Sequence, residues 1–305
     1  MGAIQIIANK ALHADSGWTL LGNAAYSHRD SSRVFEHKGL LYLSNGYQPG
    51  HILLPDLWKS YDGINWHLVN DATPYTGWCP VISVKGAIVA LGDPVMISED
   101  DGLTFIAIPG DPPFTTEANT RKTWWPIVRG DRLIMCGQGH VWWTEDLENW
   151  STEDMPFYRE NYALWDLKGR LYIAAGSDVT TPNDPPEQQY PDSTSFNDVW
   201  MTDDPISGTW TRILEFAPWA ARMWPGFAVH GDEMVIMGGY NNRAGVNFGD
   251  TWASRDGVSW REITGTALPA RHYPQAFSRF GKLILNNGNM NAGTTGTYND
   301  MYELV

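Results

Sequence analysis

Six short apolar runs, each closed by glycine, recur along the chain: LLYLSNG, AIVALG, RLIMCG, RLYIAAG, EMVIMGG and KLILNNG. Their closing glycines are Gly46, Gly92, Gly137, Gly176, Gly239 and Gly288, so the intervals are 46, 45, 39, 63 and 49 residues. Self-similarity at this period marks a radially repeated β architecture, in which each repeat is one antiparallel sheet that must lean on its neighbours to bury both faces. The expectation is an all-β, six-bladed β-propeller of four-stranded antiparallel blades.

A second word recurs out of phase with the first. SYDGINWHLV begins at Ser60, SEDDGLTFIAI at Ser98, TEDLENWSTE at Thr144, TDDPISGTWTRIL at Thr202 and SRDGVSWREI at Ser254. Each carries a hydroxyl, then a carboxylate, then an aromatic: Trp66, Phe105, Trp150, Trp210 or Trp260. Ser and Asp side chains accept hydrogen bonds from nearby backbone amides inside a turn. Asp62, Asp100, Asp146 and Asp256 therefore read as turn builders. Calcium takes about six to eight oxygen ligands, more than one such run supplies.

Residues 222–263 show a whole repeat. GFAVHGDEMVIMGG is a hairpin, YNNRAGVNF a polar loop, and DTWASRDGVSWREI a second hairpin turning on Asp256-Gly257. Asp-Gly between alternating strands is a strong hairpin signal because glycine tolerates positive φ. The last copy stops at TYNDMYELV, one strand short, while SGWTLLG at residues 16–22 matches SGTWTRIL. Trp18 to Gly22 is thus expected to close the ring as the outer strand of the last blade. The chain reads as one domain over 1–305. Its blades fall near 23–70, 71–110, 111–155, 156–216, 217–265, and 266–305 plus 16–22, with residues 1–12 outside the scheme.

A net charge of −14 disfavours nucleic-acid phosphates as partners. Cys79 and Cys136 match no metal spacing and read as free core thiols. MGAIQIIANKAL lacks the features of a secretory leader, and Ile6 stands where a myristoylation start needs Ser or Thr. No apolar run approaches the roughly 18 residues of a membrane helix. The expectations are a soluble chain, cytoplasmic or virion-associated, with no membrane partner, no cofactor and no metal.

Gly238-Gly239 followed by GDTW, with NDVW and YNDMY in other copies, resembles the kelch repeat. The Ser98-x-Asp100-x-Gly102-x-Thr104-Phe105 stretch resembles the Asp-box of sialidases and related propellers. The six-repeat plan is similar to the kelch-type sialic-acid epimerases. The resemblance implies a propeller that binds or acts on glycans.

In a four-stranded blade the loops between strands 2 and 3, and the connections between blades, share one face, here called the upper face. Its long polar loops are YQPGHILLPD, GSDVTTPNDPPEQQYPDSTSFND, YNNRAGVNFGD and NMNAGTTGTYND. Long loops of this kind often carry function. The inter-blade connections bring Arg29, Arg121, Arg159, Arg222 and Arg271 to that face, with Trp78, Trp124, Trp224 and Tyr273 beside them. Two readings compete for the arginines. Either they hold neighbouring blades together through carbonyls and acids, or they form a funnel whose planar forks grip an anionic sugar or other small acidic ligand.

Glycoside chemistry usually needs two carboxylates about 5 to 10 Å apart, or a tyrosine nucleophile with an acidic partner. Glu160 and Tyr162 lie in one connection, with Asp166 further along, and His272 is a candidate acid or base. Three functions remain open: a carbohydrate-recognising propeller binding an anionic sugar or glycan, a glycan-active epimerase, glycosidase or lyase on the same pocket, and a protein-interaction module such as a phage-tail or adhesin domain using the long loops.

Overall fold

In the computed structural model the chain is a six-bladed β-propeller, described over residues 11–75, 78–110, 112–114, 124–178, 193–290 and 296–305. From the axis outward, blade 1 is Arg33–His37, Leu40–Ser44, Leu57–Ser60 and Trp66–Asn70. Blade 2 is Val81–Val84, Ala87–Ala90, Met96–Ser98 and Ile106–Ala107. Blade 3 is Trp125–Arg129, Arg132–Gly137, His140–Thr144 and Ser151–Asp154. Blade 4 is Ala163–Leu167, Arg170–Ala174, Val199–Thr202 and Thr211–Leu214. Blade 5 is Gly226–His230, Glu233–Met237, Thr251–Ser254 and Arg261–Glu262.

Blade 6 combines both ends of the chain. Gln275–Arg279, Lys282–Asn286 and Asp300–Leu304 are completed by Trp18–Asn23, paired antiparallel to the last strand with Trp18 opposite Leu304. The expected closure is present, one residue longer than read from the sequence. Trp18 is buried, and its indole N–H donates to Thr251 Oγ1 at 2.9 Å, so the closing strand is also bonded to blade 5.

The alternation of each strand feeds two faces of its sheet, and the cores lie between blades. Leu283 and Leu285 of blade 6 pack with Val235, Met237 and Ala253 of blade 5, and Trp165 and Tyr172 of blade 4 pack with Met234 and Ile236 of blade 5. Four of the six inner hairpins turn on Lys38-Gly39, Lys85-Gly86, Lys168-Gly169 and Phe280-Gly281, with positive φ at both residues of each pair. This is the mirror-image turn that matches strand twist.

The Ser/Asp turns are built from side chain to main chain. Ser254 Oγ accepts from Gly257 N at 2.9 Å, and Asp256 Oδ1 accepts from Val258 N and Ser259 N at 2.9 and 2.7 Å. Asp62 and Asp146 make the same pair of backbone bonds, and Asp100 accepts from Thr104 N. These acids are consumed by their own turns. Among the described residues no group of three or more His, Cys, Asp or Glu is arranged to hold a metal ion, and no helix is long and apolar enough to cross a membrane. Cys79 and Cys136 are both buried and unbridged.

Candidate functional site

The upper face is organised by four arginines that point into the protein rather than out of it. Arg29, Arg222 and Arg271 are 0% exposed and Arg159 is 3% exposed. In each, Nη1 donates to the carbonyl sixteen residues later: Asn45, Ala175, Gly238 and Asn287 for Arg29, Arg159, Arg222 and Arg271 respectively. That carbonyl ends strand 2 of the same blade. The guanidinium also meets the carboxylate that opens strand 3. Arg29 forks onto Asp56 at 2.5 and 2.8 Å, Arg222 onto Asp250 at 2.6 and 2.8 Å, and Arg271 onto Asp300 at 2.5 and 3.0 Å. Arg159 bonds Asp198 Oδ2 at 2.9 Å. Each arginine thus staples the neck of a long 2–3 loop.

The same segments join one blade to the next. The carbonyls of Arg159, Arg222, Arg271 and Arg29 accept from the amides of Gln138, Gly176, Gly239 and Gly288 in the preceding blade. The repeated glycine now has a cause. At Gly239 φ is +105°, and a Cβ there would lie 3.1 Å from the Arg222 side chain and 3.2 Å from the Met223 carbonyl.

These four guanidinium groups are therefore not available to a ligand, which corrects the expectation of an arginine-lined funnel at Arg29, Arg159, Arg222 and Arg271. Their fork geometry is spent on intramolecular carboxylates. Burial raises the Asp250 carboxyl, but Arg222 and the Trp252 indole outweigh it and hold the group below its ordinary value. Burial pulls the Arg159 guanidinium down, opposed by Asp198. Arg121 lies outside the described residues.

Two residues after each buried arginine, Ser31, Asn161, Trp224 and Tyr273 adopt left-handed φ between 54° and 58°. Non-glycine residues adopt this conformation uncommonly, and bulky ones rarely. Here it is held by a chain of bonds around the axis: Trp224 N donates to Asn161 O at 2.9 Å, and Tyr273 N to Trp224 O at 2.7 Å. The kinks set rings side by side. Trp224 lies 5.2 Å from His272, 5.9 Å from Tyr273 and 6.3 Å from Tyr240, the last stacked within 16°. Amides fix them: Trp224 Nε1 donates to Asn161 Oδ1 at 2.6 Å, and His272 Nδ1 meets Asn247 Oδ1 at 2.7 Å. A second stacked pair, Tyr47 and Trp78 at 5.8 Å, stands on the same face at blades 1 and 2.

The other candidates divide. Trp224, Tyr273, His272 and Trp78 come to the upper face. Trp124 does not: it is buried against Phe114 and Trp142, and its neighbour Trp125, which opens the innermost strand of blade 3, takes the axial place. Tyr162 is 1% exposed and its hydroxyl donates to the Cys136 carbonyl, while burial drives that phenol well above its ordinary range. It ties blade 4 to blade 3, so a nucleophilic role is corrected to a structural one. Glu160 is buried, accepting from Gln138 Nε2 at 2.8 Å and from the Tyr158 hydroxyl at 3.0 Å. Burial raises its carboxyl, and those two donors only partly offset the shift. Asp166 lies near the lower end of the inner strand of blade 4, forked by Arg129 at 2.8 and 3.0 Å, and is no partner for Glu160.

Sequence reasoning missed Tyr240, Asn161 and Asn247, which complete the ring cluster, and Asp56, Asp198, Asp250 and Asp300, which consume the arginines. The acids had a visible signal in the repeated Asp-x-aromatic of PDLW, NDVW, GDTW and NDMY. The class of protein defined here is a six-bladed propeller with an arginine-stapled upper rim and an aromatic mouth. No protein-family model matches the chain, and no curated protein matches it in sequence. Among solved structures it is similar to one described as "Structure of YjhT", with a TM-score of 0.68 at 10% identity over 91% of this chain and 95% of that chain. At that identity the likeness is one of fold.

Proposed function

We propose that this chain is a carbohydrate-recognising propeller whose upper mouth receives a sugar against the half-buried Tyr240 ring, which the buried rings of Trp224, His272 and Tyr273 hold in place. The observation that carries the reading is that cluster itself: four rings locked by left-handed backbone and by amide partners, on the face where the long loops gather. Ring faces pack against the C–H surface of a sugar, and fixed amides nearby supply the hydrogen bonds that orient its hydroxyls. With four arginines committed elsewhere, recognition rests on faces and amides, and the sugar need not be anionic.

A glycan-array screen with neutral and acidic glycans at low and high salt tests this. Binding should survive high salt, because it does not depend on an exposed ion pair. Tyr240→Ala should weaken it by about tenfold or more, the scale of losing a central aromatic contact. Absence of any bound glycan, or undiminished binding by Tyr240→Ala, would contradict the proposal. A second, catalytic reading is favoured by the Glu160 carboxyl, buried at the head of blade 4 between Gln138 and Tyr158 and raised by that burial, since a carboxyl with a raised value is a better proton donor. Glycan turnover lost in Glu160→Gln with binding retained would support it, and no turnover in the parent protein would remove it.

A further inference from the structure

At the lower end of the joint between blades 1 and 2 a serine, a histidine and a carboxylate stand in line. His37 ends the innermost strand of blade 1 and is 2% exposed. Its Nδ1 lies 2.8 Å from Oγ of Ser83, on the innermost strand of blade 2, and its Nε2 lies 3.0 Å from Asp101 Oδ1. The Tyr42 ring meets the imidazole edge-on at 5.5 Å.

The turn that carries Asp101 is built on its neighbour. Asp100 accepts from Ser98 Oγ and Thr104 N. Asp101, at a left-handed φ of 62°, instead reaches blade 1, where Lys38 Nζ donates to it at 2.5 Å. The bonds from Lys38 and His37 hold its carboxyl below the ordinary value, so it is an anion that accepts from Nε2. The Nε2–H tautomer leaves Nδ1 as the acceptor facing the Ser83 hydroxyl. A base within hydrogen-bond reach of a hydroxyl, oriented in turn by a third group, is the arrangement that activates a serine.

Ser83 is half-buried and lines, with Phe35, Ile82 and Ile127, a cavity of about 440 Å³ bounded mainly by the innermost strands of blades 1 to 3. Those apolar neighbours suit an acyl chain. The joint between blades 5 and 6 supplies a comparison. His230 Nδ1 lies 3.0 Å from Ser278 Oγ there, but the fourth strand of blade 6 is Trp18–Asn23, so no Ser/Asp turn stands where Asp101 does.

We propose that Ser83, His37 and Asp101 form an esterase site for esters of apolar carboxylic acids, with the acyl chain in that cavity. Ser83 Oγ bonds to the ester carbonyl carbon while its proton passes to His37 Nδ1. The carbonyl–alkoxy bond then breaks, and the leaving oxygen takes that proton. Water repeats the exchange on the acyl-serine, releasing the acid and restoring the hydroxyl. Ser83 and His37 are the catalytic residues, and Asp101 positions the imidazole.

A fluorophosphonate probe, which bonds phosphorus to an activated serine oxygen with loss of fluoride, tests the site on the whole chain. Mass spectrometry should find one adduct, on Ser83, absent in Ser83→Ala and retained in Ser278→Ala. 4-Nitrophenyl hexanoate should be hydrolysed with kcat/KM about tenfold or more above the acetate, since its longer chain buries further methylenes in the cavity. Ser83→Ala should abolish this hydrolysis. Asp101→Asn should lower kcat by about 100-fold or more with KM little changed, the mark of lost base orientation rather than lost binding. No adduct on Ser83, hydrolysis that survives Ser83→Ala, or equal kcat/KM for the two esters overturns the proposal. Should Ser83→Ala fail to fold, undiminished kcat in Asp101→Asn overturns it instead.

Discussion

From the joint between blades 3 and 4 round to the joint between blades 6 and 1, buried guanidinium groups hold the upper rim; across blades 2 and 3, among the described residues, rings pack there instead. Where blade 5 sets the Arg222 side chain against Gly239, blade 3 sets Trp124 against Gly137, whose Cβ would lie 2.3 Å from the indole. Phe114, Trp124, Trp142 and Trp150 form an edge-to-face cluster there, with Phe114 4.9 Å from Trp150. The difference follows loop length. Strand 2 and strand 3 of blade 3 are joined by Gln138-Gly139 alone, so no loop neck needs closing. In blades 1, 4, 5 and 6 the two strands part for a long excursion, and a guanidinium bridges the carbonyl on one side to the carboxylate on the other. A tight hairpin can be held by apolar packing, whereas a wide loop needs a directional staple at its base.

That contrast can be broken at either arc. Arg222→Ala should cost about 3 kcal/mol in urea unfolding, because it leaves the half-buried Asp250 without its ion-pair partner and the buried Gly238 carbonyl without its guanidinium donor. Trp124→Ala in the other arc should cost a similar ~3–5 kcal/mol by leaving a cavity, but without a new dependence on pH. The staple, by contrast, is pH-sensitive. Asp250 has a folded value below its ordinary 3.8. The folded state therefore binds that proton less readily than the unfolded chain does. Its contribution is fully present above about pH 4 and is lost as pH falls through the lowered value. Unfolding followed from pH 6 downward should show that loss in the parent protein, and Asp250→Asn should reduce it, leaving the share of the lowered turn acids Asp62, Asp100, Asp146 and Asp256. Glu160 has the opposite sign. Its folded value lies above its ordinary 4.5, so stability falls as pH rises from there through the raised value, and Glu160→Gln should remove that slope. At the blade 1/2 joint the Tyr75 hydroxyl lies 2.9 Å from Ser44 Oγ, and Tyr75→Phe should cost only about 1 kcal/mol, one neutral hydrogen bond.

The ring and its closure were legible because they depend on local signals that repeat: a glycine after an apolar strand, a Ser/Asp turn, and a last copy that lacks one strand. The staples were half legible. Arg29, Arg159, Arg222 and Arg271 stood out, yet their carboxylates lie 27, 39, 28 and 29 residues away, separated by loops of unequal length that hide a common geometry. Alignment on strand 2 rather than on the turn before it recovers the constant spacing of sixteen to the carbonyl. The Trp124-Trp125 pair was beyond sequence reasoning for a different cause. Adjacent residues at the start of a strand face opposite ways, and nothing local says which meets the axis. Trp224, His272 and Tyr273 of the ring cluster stood out in the sequence, whereas Tyr240 and Asn247 sit in a small hairpin within the blade 5 loop and carry no repeated signal.

A double-mutant cycle on Arg222 and Asp250, read by equilibrium urea unfolding of the parent, Arg222→Ala, Asp250→Ala and the combined variant, reaches the clamp most directly. If the pair is a buried staple, the two losses will overlap, with a coupling energy above about 2 kcal/mol. Losses that simply add, within about 0.5 kcal/mol, would mean the two groups act independently and that Arg222 is there for something other than its own blade.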